Sequence, residues 1–304
     1  MDGVVNDLAR IFSALVTPTR ADESVDHDVL ADIVDEQFAR GVEGFYCCGS
    51  SGEALLLSLE ERKAVVSTVT SAIAGRAPVI VHVGTISTTQ TIELARHAQA
   101  HGAAAVSMIP PYYYAFTSQE IETYYRDVIA AVEVPVMLYN IPQFTGISFS
   151  KANTSGLLSD PQVIGMKHTD HNLYSLERLA EAFPDKIFFN GFDEQYLSAL
   201  VAGATGAVGT TVNIQPELFL RLRSQFTAGD LAGARHTQQQ INSVVETLVA
   251  HGVFQSTKYI ASARGQVTGN CRAPFRPLTD EDRSALDRLV DDIARYTEGD
   301  SGGQ

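Results

Sequence analysis

Two hydrophobic rhythms alternate along this chain. Short unbroken apolar runs, rich in β-branched and aromatic residues, are followed by stretches whose apolar residues recur every three or four positions. The first kind predicts strands at Ile11–Val16, Gly44–Cys47, Pro78–Val83, Ala104–Ile109, Pro135–Tyr139, Val163–Lys167, Lys186–Asn190 and Ala207–Thr210. The second predicts helices between them. Asp28–Arg40 carries Leu30, Val34 and Phe38 on one face and stops at Gly41. Ser58 opens the next, with Glu61 completing a capping box, and Gly75 closes it. Others fall at Gln90–His101, Gln119–Val132, Ser150–Leu158, Tyr174–Phe183, Glu194–Ala202 and Pro216–Phe226. Eight strand–helix units in about 250 residues match an α/β fold of the (β/α)8 TIM barrel type. Continuous apolar strands suit a parallel sheet buried on both faces.

The strand rhythm ends near Ala228. Helical patterns at Asp230–His251, Lys258–Ala263 and Thr279–Tyr296 follow, and the Gly- and Ser-rich tail Glu298–Gln304 reads as disordered. The expected organisation is a catalytic barrel over 1–228 and a C-terminal helical extension over 229–304. An open, doubly wound sheet is the competing fold, but Val16-Thr17-Pro18-Thr19 is no dinucleotide-binding loop.

Composition narrows the function classes. The 304 residues carry a net charge of −14, which argues against a nucleic-acid partner. No apolar run is long enough to cross a bilayer, and Met1–Arg10 lacks the regions of a signal peptide, so a cytoplasmic protein without membrane partners is expected. Cys47, Cys48 and Cys271 form neither a disulfide framework nor a metal-ligand spacing, and read as buried small hydrophobes.

A barrel places its chemistry at the C-terminal ends of its strands. There the chain offers Ser50 and Ser51, Tyr112–Tyr114, Tyr139 and Asn140, Lys167 and Thr169, Gly191, Asp193 and Glu194, and Thr210, Thr211 and Asn213. Lys167 ends an apolar strand, where desolvation favours a neutral, nucleophilic amine. Such an amine condenses with a ketone to an iminium, an electron sink for breaking a neighbouring carbon–carbon bond. The alternatives are a lysine paired with a carboxylate or one snorkelling to solvent. Tyr139 ends the adjacent strand, and a phenol beside a cation can relay a proton, although many such tyrosines only pack. Gly49-Ser50-Ser51-Gly52-Glu53 is a polar turn that suits a carboxylate or serves simply as a βα turn, with Glu53 holding it.

Taken together, Gly49-Ser50-Ser51-Gly52-Glu53, Pro111-Tyr112-Tyr113, Tyr139-Asn140-Ile141-Pro142 with Thr145-Gly146, and Gly165-Met166-Lys167 resemble the N-acetylneuraminate lyase and dihydrodipicolinate synthase family of pyruvate-dependent Schiff-base aldolases. The resemblance covers nearly the whole chain. It implies Lys167 as the Schiff-base lysine and Tyr139 as the proton-transfer tyrosine, with Ser50 and Ser51 holding the pyruvate carboxylate. It places Tyr113 where the family often reaches a neighbouring subunit's site, and implies a homotetramer with no metal and no organic cofactor.

Within the family, the synthase branch usually has an arginine where this chain has Phe144, and a phenyl ring cannot replace a guanidinium that binds a carboxylate. Thr169 and Gly191-Phe192-Asp193-Glu194 resemble the lyase branch, with Asp193 and Glu194 expected on the hydroxyls of a sugar's glycerol chain and Thr210 beside them. Adjacent carboxylates accept several hydroxyl hydrogen bonds, though they also suit a helix N-terminus. Departures are Cys47-Cys48, where small residues are usual, Ser51, where threonine is common, Asn140, which is more typical of the synthase pattern, and Phe254. The expected reaction is retro-aldol cleavage of N-acetylneuraminate, a keto acid substrate. An aldolase or dehydratase for another 2-keto-3-deoxy sugar acid is the nearest rival, dihydrodipicolinate synthesis is less favoured, and a non-catalytic sugar-acid sensor is the rival of another class.

Overall fold

The computed structural model describes residues 8–265 and 267–298. The tail beyond Glu298, and Met1–Asp7 with most of the segment read for a signal peptide, lie outside them. Eight parallel strands close into a barrel in sequence order. They are β1 (Ile11–Ala14), β2 (Gly44–Cys47), β3 (Val79–His82), β4 (Ala105–Met108), β5 (Val136–Asn140), β6 (Val163–His168), β7 (Ile187–Asn190) and β8 (Gly206–Gly209). Around them run α1 (His27–Ala39), α2 (Leu59–Ile73), α3 (Thr88–Ala100), α4 (Ser118–Ala131), α5 (Lys151–Leu158), α6 (Leu173–Ala182), α7 (Tyr196–Val201) and α8 (Pro216–Thr227). The last helices are α9 (Leu231–His251), α10 (Val253–Ala263) and α11 (Asp280–Glu298). The expected TIM barrel with a helical extension is what the chain forms.

Local chemistry starts the helices where the sequence indicates. The Ser58–Glu61 capping box is present at α2, and Thr117 and Glu120 form another at α4. Differences from the expected boundaries have local causes. β1 stops at Ala14 because the Val16 amide donates to the Asn213 side chain (3.3 Å) rather than to a neighbouring strand. The helix expected over Glu194–Ala202 divides into a 3₁₀ turn, Asp193–Gln195, and α7. α10 begins at Val253 rather than Lys258, because one glycine, Gly252 at φ +96°, is enough to break it from α9. An additional one-turn helix, Pro142–Thr145, starts on a proline and ends on Gly146.

Two apolar layers hold the barrel. The inner one contains Phe12, Tyr46, Ile80, Met137, Ile164, Ile187, Phe189 and Val208, with Phe12 and Phe189 edge to face at 5.3 Å. The outer one lies between strands and helices and includes Val163 and Met166. A third cluster joins the extension to the barrel's end, through Ile214, Val244, Leu248, Ile260, Leu286 and Ile293.

β6 breaks the two-residue alternation of a strand. Ile164 faces the inner layer while Val163 and Met166 face the outer one. The register against β5 jumps from Val136↔Val163 to Met137↔Gly165, a bulge. Gly165 sits at φ +150°, and a Cβ there would come within 1.8 Å of the Ile187 carbonyl oxygen. With the bulge Lys167 points into the barrel mouth; with strict alternation it would share the face of Val163. Among the described residues no helix is long and apolar enough to cross a membrane, and no group of acidic, His or Cys side chains is arranged to hold a metal.

Candidate active site

A cavity of about 430 Å³ opens at the C-terminal end of the barrel. Lys167 and Tyr139 are register partners on β6 and β5, and both line it. Lys167 is only 4% exposed, and no described carboxylate pairs with it. Its Nζ lies 4.2 Å from the centroid of the Tyr139 ring and 4.4 Å from that of Tyr46. The ion-paired and solvent-snorkelling alternatives therefore do not describe this lysine. Tyr46 is held by a hydrogen bond from its hydroxyl to Ser107 Oγ (3.1 Å), and its ring meets Tyr139 edge to face. His82 packs perpendicular to Tyr139. Burial, with Arg62 and Lys167 nearby, holds the His82 imidazole well below its usual range and so neutral.

The turn after β2 supplies Ser50 and Ser51 to the cavity. It folds on itself through Gly52 N–H to the Gly49 carbonyl (3.1 Å) and Glu53 N–H to the Ser50 carbonyl (3.0 Å). Gly49 is needed because a Cβ would lie 2.8 Å from the Tyr46 ring. Across the mouth, the Ser51 and Thr210 hydroxyls share a hydrogen bond of 2.7 Å, tying the ends of β2 and β8. Asn140 is buried and acts as a brace: its carbonyl oxygen accepts from Phe149 N–H (2.9 Å) and its amide nitrogen lies 3.2 Å from His168 Nδ1.

Two glycines make room for the polar wall opposite. A Cβ on Gly191 would stand 1.8 Å from Thr169 Oγ1, and one on Gly209 would stand 2.1 Å from Asp193 Oδ1. Both oxygens are buried and lack a hydrogen-bond partner. Buried polar atoms are rarely left so, and these two lie on residues of the cavity wall. The second Asp193 oxygen accepts from Thr211 N–H at 2.8 Å. Burial pushes the Asp193 carboxyl up to about 6, against the pull of the Thr211 hydrogen bonds. Glu194 stands beside it, half-buried.

Eight of the nine cavity residues expected from the sequence besides Tyr139 thus meet at one cavity: Lys167, Ser50, Ser51, Thr169, Gly191, Asp193, Glu194 and Thr210. Tyr113 does not; it is 85% exposed at φ +77°, outside the cavity of its own chain. Val245, Leu248, Val249, Gln255 and Phe275 also line the cavity, all from the C-terminal extension. Val245, Leu248 and Val249 carry no signal in the sequence, because apolar residues at helical spacing read as core, and Gln255 and Phe275 lie far along the chain from any strand end. Phe254 packs edge to face on Phe275 at 5.6 Å. The cavity is therefore closed on one side by hydroxyls and carboxylates and on the other by apolar side chains. An unpaired buried amine at its floor can attack a carbonyl, and the hydroxyl turn can hold an anion beside it.

Known proteins place the chain in the same company. Residues 7–293 match the model of the dihydrodipicolinate synthetase family. The chain is 40% identical to an N-acetylneuraminate lyase of Rhizobium meliloti (strain 1021), over 97% of this chain and 98% of that one. It is 34% identical to an N-acetylneuraminate lyase of Citrobacter koseri, over 95% and 98%. The solved structure of wild-type Ruminococcus gnavus sialic acid aldolase superposes with a TM-score of 0.92 at 30% identity, covering 95% of this chain and 97% of that one. With a match that runs through barrel and extension alike, on a barrel that brings a buried lysine and its neighbouring tyrosine to one mouth, this chain belongs to the dihydrodipicolinate synthetase family.

Proposed function

We propose that this protein is an N-acetylneuraminate lyase, a class I aldolase that cleaves N-acetylneuraminate to N-acetylmannosamine and pyruvate through an imine on Lys167. The observation that carries the reading is the buried, unpaired Lys167 set against the Tyr139 ring in the cavity. The Lys167 amine attacks the C2 ketone, and loss of water gives an iminium. Tyr139 takes the proton of the C4 hydroxyl as the C3–C4 bond breaks, and the bonding pair moves into the iminium. N-acetylmannosamine leaves as the aldehyde, the enamine is protonated at C3, and water releases pyruvate and restores the amine. The chemistry draws on no cofactor and no metal.

In this reading Ser50 and Ser51 hold the substrate carboxylate. Asp193, Glu194, Thr210, Thr169 and Gly191 of the cavity wall receive the polyol. The unpartnered oxygens of Thr169 and Asp193 support this, since hydroxyls are the ligands that would satisfy them. Phe144 stands at the rim with no charge to offer a second carboxylate, which separates the reading from dihydrodipicolinate synthesis. A cavity of about 430 Å³ lies within the roughly 300–1,000 Å³ usual for small-molecule sites. A cytoplasmic homotetramer, with Tyr113 turned toward a neighbouring subunit, completes the proposal. The test is to offer N-acetylneuraminate and a 2-keto-3-deoxygluconate separately and follow pyruvate release. Faster turnover of N-acetylneuraminate is expected; the reverse order would transfer the assignment to another keto-deoxy sugar acid.

A further inference from the structure

Behind the Ser50–Ser51 turn lies a buried ion pair that the cleavage steps do not use. Glu53 Oε1 stands 2.6 Å from Lys258 Nζ, with side chains 2% and 1% exposed. The other Glu53 oxygen accepts from Arg272 N–H (2.7 Å), and Lys258 also donates to the Asn270 carbonyl (3.0 Å). Glu53 itself closes the turn, in the left-handed region at φ +54° and bonded to the Ser50 carbonyl. Thr17 Oγ1 clamps the adjacent Gly52 carbonyl at 2.8 Å.

The far end of the pair belongs to the extension. Lys258 lies on α10, whose first turn carries Val253, Phe254 and Gln255 to the cavity. The segment holding Asn270 and Arg272 continues to Phe275, on the same cavity wall. One ion pair thus links the hydroxyl edge of the cavity to its apolar wall. Stability is a poor reason for burying it. A buried pair is often no more stabilising than well-packed apolar residues of the same volume, while a pair fixes one register between two elements.

We propose that Glu53 and Lys258 are positioning residues that set the Ser50–Ser51 turn for the carboxylate of a 2-keto acid, so that the extension is part of the binding site. This rests on the assignment of that turn to the carboxylate. Breaking the pair from one side leaves an uncompensated buried charge, so Glu53→Gln alone is expected to unfold at lower temperature. Glu53→Gln with Lys258→Met removes both charges and keeps an acceptor for the Arg272 amide.

The measurement is borohydride trapping of pyruvate on the full-length protein, as a function of pyruvate concentration, alongside thermal unfolding. The double variant is expected to recover most of the unfolding temperature and to reach the wild-type trapping yield at saturation. Its half-saturating pyruvate concentration is expected to rise about tenfold, because a misplaced turn weakens binding without removing the amine. A double variant that melts and half-saturates like the wild type would overturn the positioning role alone. A wild-type protein that traps no pyruvate would overturn both this role and the function it rests on.

Discussion

Lys167 meets two aromatic faces and no carboxylate. An iminium formed on its nitrogen keeps a positive charge over the same rings, and each desolvated cation–π contact contributes about 0.5–2 kcal/mol. Tyr139 then has two separable parts, a ring that faces the cation and a hydroxyl that moves a proton. Tyr139→Phe keeps the first and removes the second. It is expected to trap pyruvate normally while kcat for cleavage falls by about 10²–10⁴-fold, the usual worth of a positioned acid–base group. Equal loss of trapping and turnover would show that the hydroxyl serves imine formation instead. At Asp193 the neighbourhood is the reverse, a carboxyl with one oxygen satisfied and the other buried without a hydrogen-bond partner. Pushed up to about 6, it changes from donor to acceptor near that pH. The pH profile of KM for the sugar acid is expected to bend near pH 6, and Asp193→Asn to remove the bend and raise KM about tenfold.

Among the elements, β6 decides where the chemistry points. Its bulge at Gly165 turns Lys167, two residues further on, inward, where strict alternation would have turned it outward. A methyl group at Gly165 has nowhere to go, with the Ile187 carbonyl at 1.8 Å. Gly165→Ala is therefore expected to destabilise the fold by about 3 kcal/mol or more and to lose pyruvate trapping in whatever protein remains folded. Retention of both would place the inward turn elsewhere. The bulge was not legible in the apolar run Val163–Met166, since periodicity reports which residues are buried and both faces of this strand are buried. Strand order and the approximate position of each strand were legible, because eight apolar runs alternating with helical patterns leave few other closed topologies. The hydroxyl turn and the Asp193–Glu194 pair were legible because polar residues at strand ends are conspicuous. The wall formed by Val245, Leu248 and Phe275 was not, because its side chains differ in no way from core.

For the whole molecule, two kinds of carboxyl pull stability in opposite directions with pH. Glu61 is held down at about 2, chiefly by its hydrogen bonds with Arg272. Its contribution is full above its ordinary 4.5 and is lost as pH falls toward 2. Asp282, hydrogen-bonded to Arg276, His251 and Thr279, is likewise held below its ordinary value and adds to the acid-side loss. Asp193 runs the other way: its folded form binds the proton more tightly, so its contribution is full below 3.8 and is lost as pH rises through about 6. Thermal unfolding of Asp193→Asn should therefore gain on the wild type as pH rises from 4 to 7, and a constant offset would mean that this carboxyl titrates normally. At the centre of the proposed chemistry, the amine of Lys167 at the barrel mouth forms an imine with a 2-keto acid. Borohydride reduction in the presence of pyruvate, followed by peptide mass spectrometry, tests it most directly. A single reduced pyruvate adduct on Lys167, absent from Lys167→Ala, is the expected result; no adduct, or one on another lysine that survives the substitution, would contradict the account.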